Sequence, residues 1–213
     1  MPLLAPTDTS RRERKKLALR ARILEAATAL FSERGYALTK VADICERADV
    51  AQKTFFNHFA TKQDLLREIA EYALDELLVE VESARKEERT TAARLARFFS
   101  RTAESMERGG AMQRELVTEL VHTVHGMREK GDHARRRHAA FDAIVREGLE
   151  AGELTRRHAP ETLTQMILGT YYVLIFDFAN LDDHPIRAHA DAASRFLADS
   201  LASPQPDAPK HGE

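Results

Sequence analysis

One short stretch, ADVAQKTFFNHFATKQDLL at residues 48–66, constrains the fold of this chain most strongly. Phe55 and Phe59 stand four residues apart, so they share one face of a short helix, and Lys53 and Asn57 lie elsewhere on its surface. A helix this short is only marginally stable by itself in water. We therefore expect the two phenylalanines to anchor it to a neighbouring helix while its polar side chains face outward.

Capping signals divide the rest of the chain into helices. Capping boxes at Ser10–Glu13 and Thr61–Asp64 predict two helix starts, and we expect Thr39 to cap a short helix between them. Other boundaries are marked by Gly35, Gly109, Gly110, Gly131, Gly152, Pro160 and Pro185. Because Ala, Leu, Arg and Glu are abundant and Trp is absent, we predict an all-α fold of about nine helices.

Charge is distributed unevenly along the chain, although the net charge is only −2. Residues 1–67 contain thirteen Lys or Arg and eight Asp or Glu, whereas the remainder contains nineteen and twenty-six. A basic front on an acidic body indicates a polyanionic partner at one end only. We predict a basic arm and three-helix domain in residues 1–66, a larger helical domain in 67–202 and a disordered tail in 203–213.

Several sequence features predict a cytoplasmic protein. The single cysteine, Cys45, excludes an intramolecular disulfide and fits a reducing compartment. No apolar run reaches 18 residues, so we expect neither a transmembrane helix nor a membrane partner. At the N-terminus the basic run follows a short apolar stretch, which is the reverse of a secretory signal.

Two short helices joined by a tight turn inside a basic three-helix domain are typical of a helix-turn-helix, whose second helix enters the DNA major groove. Residues 20–66 resemble the N-terminal domain of TetR/AcrR-family transcriptional regulators. The family pattern is a helix ending in A…LF…G, followed by T…IA…AGVS…TFY.HF..K..L, and the order and spacing agree here. The resemblance implies a ligand-responsive repressor that binds a palindromic operator in double-stranded DNA as a homodimer.

The resemblance also implies which residues contact DNA. The start of the second helix would touch phosphate, the third helix would face the groove, and two later residues would hold backbone phosphates. In chain order these are Thr39, Lys40, Gln52, Lys53, Thr54, Asn57, His58 and Lys62. Gln and Asn can read adenine, and Lys favours guanine. The basic run at residues 11–16 is either a phosphate-binding arm or a solvated helix face.

Four positions depart from the family pattern. Asp49 replaces the usual turn glycine but tolerates a left-handed backbone, and Cys45 replaces a small alanine as a buried residue. Ala51 replaces the Ser or Thr that caps the third helix, a loss of about 1 kcal/mol. Phe56 replaces a tyrosine, so one phosphate contact through a phenol oxygen is lost.

The segment PETLTQMILGTYYVLIFDFAN, residues 160–180, predicts a subunit interface. Almost every position from Met166 to Phe178 is apolar, so this helix must be buried on most sides, and a partner subunit would cover it economically. In the family the last two helices form a dimeric four-helix bundle, which implies a homodimer through about residues 160–202. Two-fold symmetry would then place the two groove-reading helices about 34 Å apart, one turn of DNA.

Family C-terminal domains usually enclose a ligand cavity, which implies an apolar or amphipathic small-molecule effector. The candidate lining residues are Phe98, Phe99, Met112, Leu116, Leu120, Met127, Phe141, Ile144, Met166 and Tyr171. Polar groups for such a ligand would come from His122, His125 or Tyr172. Ordinary hydrophobic core is the alternative interpretation of each apolar position.

We expect no catalysis, no cofactor and no metal. The sequence has no G-x-S-x-G, no phosphate-binding loop and no HExxH. His122 and His125 stand three residues apart and are compatible with a metal pair, but nine histidines make coincidence the better explanation. Two alternatives remain open at this stage, namely a helical adaptor or structural dimer that does not bind DNA, and an activator instead of a repressor.

Overall fold

A computed structural model describes residues 11–124 and 131–204 of the chain, and these residues form an all-α structure. Its helices are α1 Arg11–Arg34, α2 Val41–Arg47, α3 Gln52–His58, α4 Lys62–Glu87, α5 Thr91–Val124, α6 Gly131–Glu150, α7 Pro160–Asn180 and α8 Ile186–Leu201. Within α5, Gly110 has φ 50° and ψ −125°, a backbone that breaks the helix into two segments. Counted in this way, the described chain has the nine helical segments that the sequence predicts, and the predicted fold class is confirmed.

Most predicted boundaries agree with the structure, and two do not. The Thr61 hydroxyl accepts a hydrogen bond from the Asp64 backbone N–H at 3.0 Å, as the capping box predicts. Thr39 does not cap α2, because Lys40 occupies the N-cap position and its backbone N–H donates to Asp43. Gly131 is the first residue of α6, one residue before the predicted start, and the predicted end of the preceding helix falls outside the described residues. The box at Ser10–Glu13 begins before the part of the chain that the structure describes.

The chain divides into two compact units, Met1–Ile69 and Ala70–Glu213, with the division inside α4. The first unit packs α1, α2, α3 and the start of α4 around buried apolar side chains. This core includes Ile23, Ala27, Phe31, Ile44, Phe55 and Leu65, each fully buried. Removing so many apolar side chains from water is what holds the short α2 and α3 in place.

The second unit is built on α5, α6, α7 and α8. At its centre the Phe98 ring contacts Phe141 edge to face, with centroids 5.0 Å apart, and lies 5.5 Å from Tyr171. After α6 the chain returns to the end of α8, where the Thr155 N–H donates to the Leu201 carbonyl at 2.8 Å. The predicted disorder of the tail concerns residues that lie almost entirely beyond the last described residue, 204.

Helix α7 is apolar on its inner and its outer side. By length and composition alone it is apolar enough to cross a membrane. Eight of its side chains are nevertheless buried in the second unit, as in the core helix of a globular domain. Its outer side carries Met166, Val173 and Phe176, which are about half exposed or more.

Candidate nucleic-acid interface and ligand cavity

The turn between α2 and α3 has helix-turn-helix geometry. Asp49 adopts φ 51°, the left-handed conformation for which the family pattern has glycine. The Val50 N–H donates to the Cys45 carbonyl at 2.9 Å. Ala51 is the N-cap of α3 and makes no side-chain cap hydrogen bond. The turn therefore forms without glycine and without a capping hydroxyl, as the sequence predicts for these two departures.

Helix α3 is amphipathic in the predicted direction. Phe55 and Phe59 are buried, with ring centroids 5.7 Å apart, whereas Gln52, Lys53 and Asn57 are exposed. Thr54 is half-buried, and Phe56 exposes 51% of its surface. The structure thus places Gln52, Lys53 and Asn57 on the open side of a helix whose other side is fixed by packing.

An arginine of α1 holds the end of α3 in place. The Arg20 Nη1 donates to the carbonyl oxygen of His58 at 2.9 Å, and its Nε donates to Glu68 of α4 at 2.8 Å. The Arg20 guanidinium also lies 4.4 Å from the centroid of the Phe59 ring. A cation at a helix C-terminus complements the helix dipole. Sequence reasoning missed Arg20 and Glu68, because nothing in their spacing distinguishes them from solvated charges.

A second arginine of α1 secures the turn. The Arg22 Nη2 donates to the Ala48 carbonyl at 2.5 Å, just before the left-handed residue Asp49. The Asp49 carboxylate lies 3.6 Å from the same nitrogen, but it is almost fully exposed, so this ion pair adds little. The main contribution of Arg22 is therefore to satisfy a carbonyl at the end of α2.

His58 is half-buried at the end of α3, and its Nδ1 has no hydrogen-bond partner among the described residues. Burial lowers the pKa of His58, and the positive charges of Arg20 and Lys16 lower it further. The side chain is therefore neutral at pH 7. A neutral imidazole can offer phosphate one N–H donor but no charge.

Thr39 and Lys62 have structural contacts that the sequence did not reveal. Thr39 is only 1% exposed, and its hydroxyl donates to the Gly35 carbonyl at 2.8 Å, so the expectation that this side chain touches phosphate is corrected. The Lys62 ammonium donates to the carbonyls of Tyr36 and Thr39, at 2.7 and 2.8 Å, and lies over the Tyr36 ring. Lys62 therefore fastens the loop before α2 to the start of α4, whereas Lys40 is exposed.

The basic run at the N-terminus lies on the first turns of α1. Arg11, Arg14, Lys15 and Lys16 are exposed, so they form a cationic helix face. Both predicted interpretations, a phosphate-binding arm and a solvated face, fit this placement.

In the second unit a cavity of about 530 Å³ opens between α4 and α5 and reaches α7. Its floor is apolar and buried, and includes Met106, Leu116, Val117 and Ile175. The rim carries Tyr72, Glu76, Val79, Glu80, Arg101 and Arg108, which are exposed. An apolar floor with a polar rim suits a ligand with one hydrophobic and one hydrated part.

Only part of the predicted lining surrounds this cavity. Leu116 and Tyr171 do line it, whereas Met112 is buried outside it and Met166 is exposed on the outer side of α7. Four further candidates are corrected to ordinary hydrophobic core, namely Phe98, Phe99, Phe141 and Ile144. Met127 and the side chain of Leu120 lie outside the described part of the structure, as do His125 and the side chain of His122.

Sequence reasoning missed the contribution of α4 to the cavity. Tyr72, Glu76 and Val79 recur at helical spacing along one face of this helix, which is the one signal that was available. Thr102 of α5, which is 93% buried, was also missed. A threonine within a helix is usually assigned no ligand-binding role, because its hydroxyl can donate to a backbone carbonyl of the preceding turn.

The outer sides of α7 and α8 form a shallow apolar groove. It is lined by Met166, Gly169, Thr170, Val173, Leu174, Asp177, His184, His189, Ala193 and Phe196. Val173 and Phe196 expose 60% and 67% of their surfaces. At one end the His184 and His189 rings lie edge to face with centroids 4.4 Å apart. We name this surface the α7–α8 face.

Neither a reactive thiol nor a metal site is found within the described residues. Cys45 is buried, and burial raises the pKa of its thiol, so this residue behaves as a small core side chain. The described residues contain no group of three His, Cys, Asp or Glu side chains placed to hold a metal ion.

Comparison with known proteins finds similar proteins among transcriptional regulators. The family model described as bacterial regulatory proteins, tetR family, matches residues 23–69, the span of α1 to the start of α4. A fatty acid metabolism regulator protein of Bacillus subtilis (strain 168) is 27% identical over 70% of this chain and 77% of its own length. The HTH-type transcriptional repressor DhaR of Mycobacterium sp. (strain GP1) is 24% identical over 72% of this chain and 78% of its own length.

The same architecture occurs among solved structures. The crystal structure of the transcriptional regulator FadR from Bacillus subtilis in complex with stearoyl-CoA matches with a TM-score of 0.67. It is 23% identical to this chain, and the match covers 85% of this chain and 98% of that one. The likeness therefore extends through both units and supports a common fold.

Proposed function

We propose, from the premise that this chain is a tetR-family transcriptional regulator, that it represses transcription as a homodimer on a palindromic operator. A hydrophobic or amphipathic small molecule releases it from the operator. We place this activity in the cytoplasm and expect no substrate turnover. The observation that carries the proposal is the rigidly packed α3, with Gln52, Lys53 and Asn57 on its open side.

The DNA-binding step follows from α3. Its buried phenylalanines and the contact of Arg20 with His58 fix the helix before DNA arrives, so little ordering is needed on binding. Gln52 and Asn57 can each form paired hydrogen bonds with adenine, and Lys53 can donate to guanine. Lys40 and the exposed cations of α1 supply phosphate contacts that do not depend on sequence.

Dimerisation uses the α7–α8 face. Large exposed apolar residues on two adjacent helices are unusual on a monomer and typical of a subunit interface. The face contains one carboxylate, Asp177, and otherwise small, apolar or weakly polar side chains, so two copies can meet without charge repulsion at its centre. A two-fold dimer presents two α3 helices to successive turns of the same side of a duplex.

The effector binds in the cavity between α4, α5 and α7. Its buried apolar floor and polar rim suit a molecule with a hydrocarbon part inside and a polar part at the opening. The FadR structure with stearoyl-CoA shows that a related fold accepts a ligand with a long hydrocarbon chain. The naming of DhaR as a repressor supports repression as the mode of action.

Helix α4 couples the two binding events. Its first residues belong to the unit that contains α3, and Tyr72, Glu76 and Val79 further along it line the cavity. We propose that a ligand bound in the cavity acts on α3 through this continuous helix. Because coupling free energies are reciprocal, operator DNA must weaken effector binding by the same factor by which the effector weakens DNA binding.

The proposal is tested by footprinting the full-length protein on the DNA that flanks its own gene. We expect two protected half-sites whose centres lie about one helical turn, 34 Å, apart, followed by loss of protection on addition of an effector. If this DNA gives no protection, selection from random duplexes locates any other operator. If selection also yields no preferred sequence, the operator-binding function is refuted and the helical adaptor is the remaining interpretation.

A further inference from the structure

We infer that the effector carries a hydrogen-bonding oxygen at its buried end, and that Thr102 and Tyr171 bind this oxygen. The inference rests on the proposed function, because it concerns the ligand of the same cavity. It predicts that the site prefers effectors whose buried end carries a ketone, ester or hydroxyl oxygen. Effectors whose buried end is hydrocarbon alone should bind less tightly.

The two residues share an unusual combination of burial and missing partners. Thr102 exposes 7% of its surface and Tyr171 exposes 6%, and both line the cavity. Neither hydroxyl has a hydrogen-bond partner among the residues that the structure describes. Neither oxygen is among the sealed buried atoms, so both open to the cavity, where a ligand that displaces water has to replace the hydrogen bonds that water makes with them.

Most other buried hydroxyls among the described residues are bonded within the chain. Those of Thr39, Thr164 and Ser194 each donate to a backbone carbonyl, at distances of 2.8 to 3.0 Å. Thr91 also lacks a partner, but its oxygen is sealed from solvent and lines no cavity described above. Thr102 and Tyr171 differ because the cavity gives a ligand access to them.

The surroundings of the two hydroxyls favour an acceptor on the ligand. Burial raises the pKa of Tyr171, so its hydroxyl stays protonated and able to donate. The neighbouring floor residues Leu116 and Val117 offer no acceptor through their side chains, and the Met106 thioether is only a weak one. A hydrocarbon that filled the floor would leave two dehydrated, unbonded hydroxyls, whereas a ketone or alcohol oxygen would accept from either.

The test compares two probes that differ in one carbonyl, cyclohexylbenzene and cyclohexyl phenyl ketone, by calorimetric titration of the full-length protein. We expect the ketone to bind on the order of tenfold more tightly, because a site built to hydrogen-bond discriminates against an analogue that leaves its groups unpaired. In the double variant Thr102→Val and Tyr171→Phe the preference should fall to about twofold or less, with hydrocarbon binding unchanged or tighter.

Because the substitutions nearly preserve side-chain shape, a change in ligand affinity should not come from loss of folding. Neither hydroxyl has a partner within the described structure, so the variants should unfold at the same temperature as the wild type or slightly higher. Thr118→Val is the matched control, because this exposed hydroxyl of α5 donates to the Arg114 carbonyl and lies outside the cavity lining. It should leave the preference for the ketone unchanged.

Two outcomes separate the inference from the proposed function. If the wild type binds both probes equally, or if the preference survives in the double variant, the role of Thr102 and Tyr171 is refuted, while operator binding and its release by some effector stand. If neither probe binds up to its solubility limit and no apolar compound releases operator DNA, the cavity is not the effector site. The inference then fails together with that part of the proposed function.

Discussion

Arg20 of α1 donates a hydrogen bond from Nη1 to the backbone oxygen of His58, the last residue of α3, at 2.9 Å. The same guanidinium is paired with Glu68 and lies over the Phe59 ring. One side chain therefore joins α1, the end of α3 and the start of α4. The orientation of the outward-facing residues of α3 depends on this contact as well as on the buried phenylalanines.

Replacing Arg20 with methionine should destabilise the first unit and weaken DNA binding. The change leaves the Glu68 carboxylate, whose side chain is 16% exposed, without its cation and leaves the His58 carbonyl without a donor. We expect the free energy of unfolding to fall by about 1–3 kcal/mol, below the range for fully buried pairs because Arg20 is partly exposed. Urea unfolding measures this change, and operator affinity should fall severalfold.

Arg47→Met is the matched control for Arg20. Arg47 also forms an ion pair in the first unit, with Glu33, but both side chains are exposed by 39% and 54%. Exposed pairs contribute little, so we expect a loss of less than about 1 kcal/mol. Equal losses in the two variants would contradict the special role assigned to Arg20.

His58 should titrate below pH 6.5. Burial lowers its pKa, and the charges of Arg20 and Lys16 act in the same direction. The neutral form is therefore favoured by folding, and this histidine reduces stability as pH falls below its unfolded value of about 6.5. Titration of the imidazole proton resonances, assigned with His58→Asn, measures the pKa directly. In Arg20→Met the pKa should move up towards 6.5, and an unchanged value would show that Arg20 does not act on His58.

Charges placed on the α7–α8 face should dissociate the proposed dimer. We expect Val173→Glu and Phe196→Glu each to convert a species of about 48 kDa into the 24.0 kDa chain, because burying an unpaired carboxylate in an interface is costly. Sedimentation equilibrium measures the mass. Leu38→Glu is the control, since Leu38 is 73% exposed in the other unit, and it should leave the mass unchanged. A wild-type chain that sediments as a monomer would contradict the proposal.

The sequence predicted the helix-turn-helix well because local signals determine it. The spacing of Phe55 and Phe59 fixes which side of α3 is buried, and Asp49 adopts the left-handed turn in place of glycine. Arg20, Glu68 and Lys62 could not be assigned in this way, since their partners are 23 to 48 residues away and mostly backbone carbonyls. Every residue has a backbone carbonyl, so a side chain that contacts one gives no sequence pattern by which its partner could be recognised.

The cavity was predicted poorly for a related reason. Large apolar residues such as Phe98 and Phe141 were chosen because they face inward, yet they are buried in the core and are not in the lining of the cavity described above. A cavity lies where side chains fail to fill space, and this depends on how α4, α5 and α7 diverge. Of the predicted lining residues that the structure describes, Leu116 and Tyr171 lie in the lining of this cavity, and the α4 wall was not predicted.

The central claim is that the open side of α3 reads DNA, and it is tested most directly by operator affinity at two salt concentrations. The variants are Lys53→Ala and Asn57→Ala, with Lys86→Ala, an exposed lysine of the second unit, as the control. We expect Lys53→Ala to weaken binding by about 1–3 kcal/mol, Asn57→Ala to change which base is preferred at one position of each half-site, and Lys86→Ala to match the wild type. If all three variants bind every duplex as the wild type does, at both salt concentrations, α3 is not the DNA-reading helix.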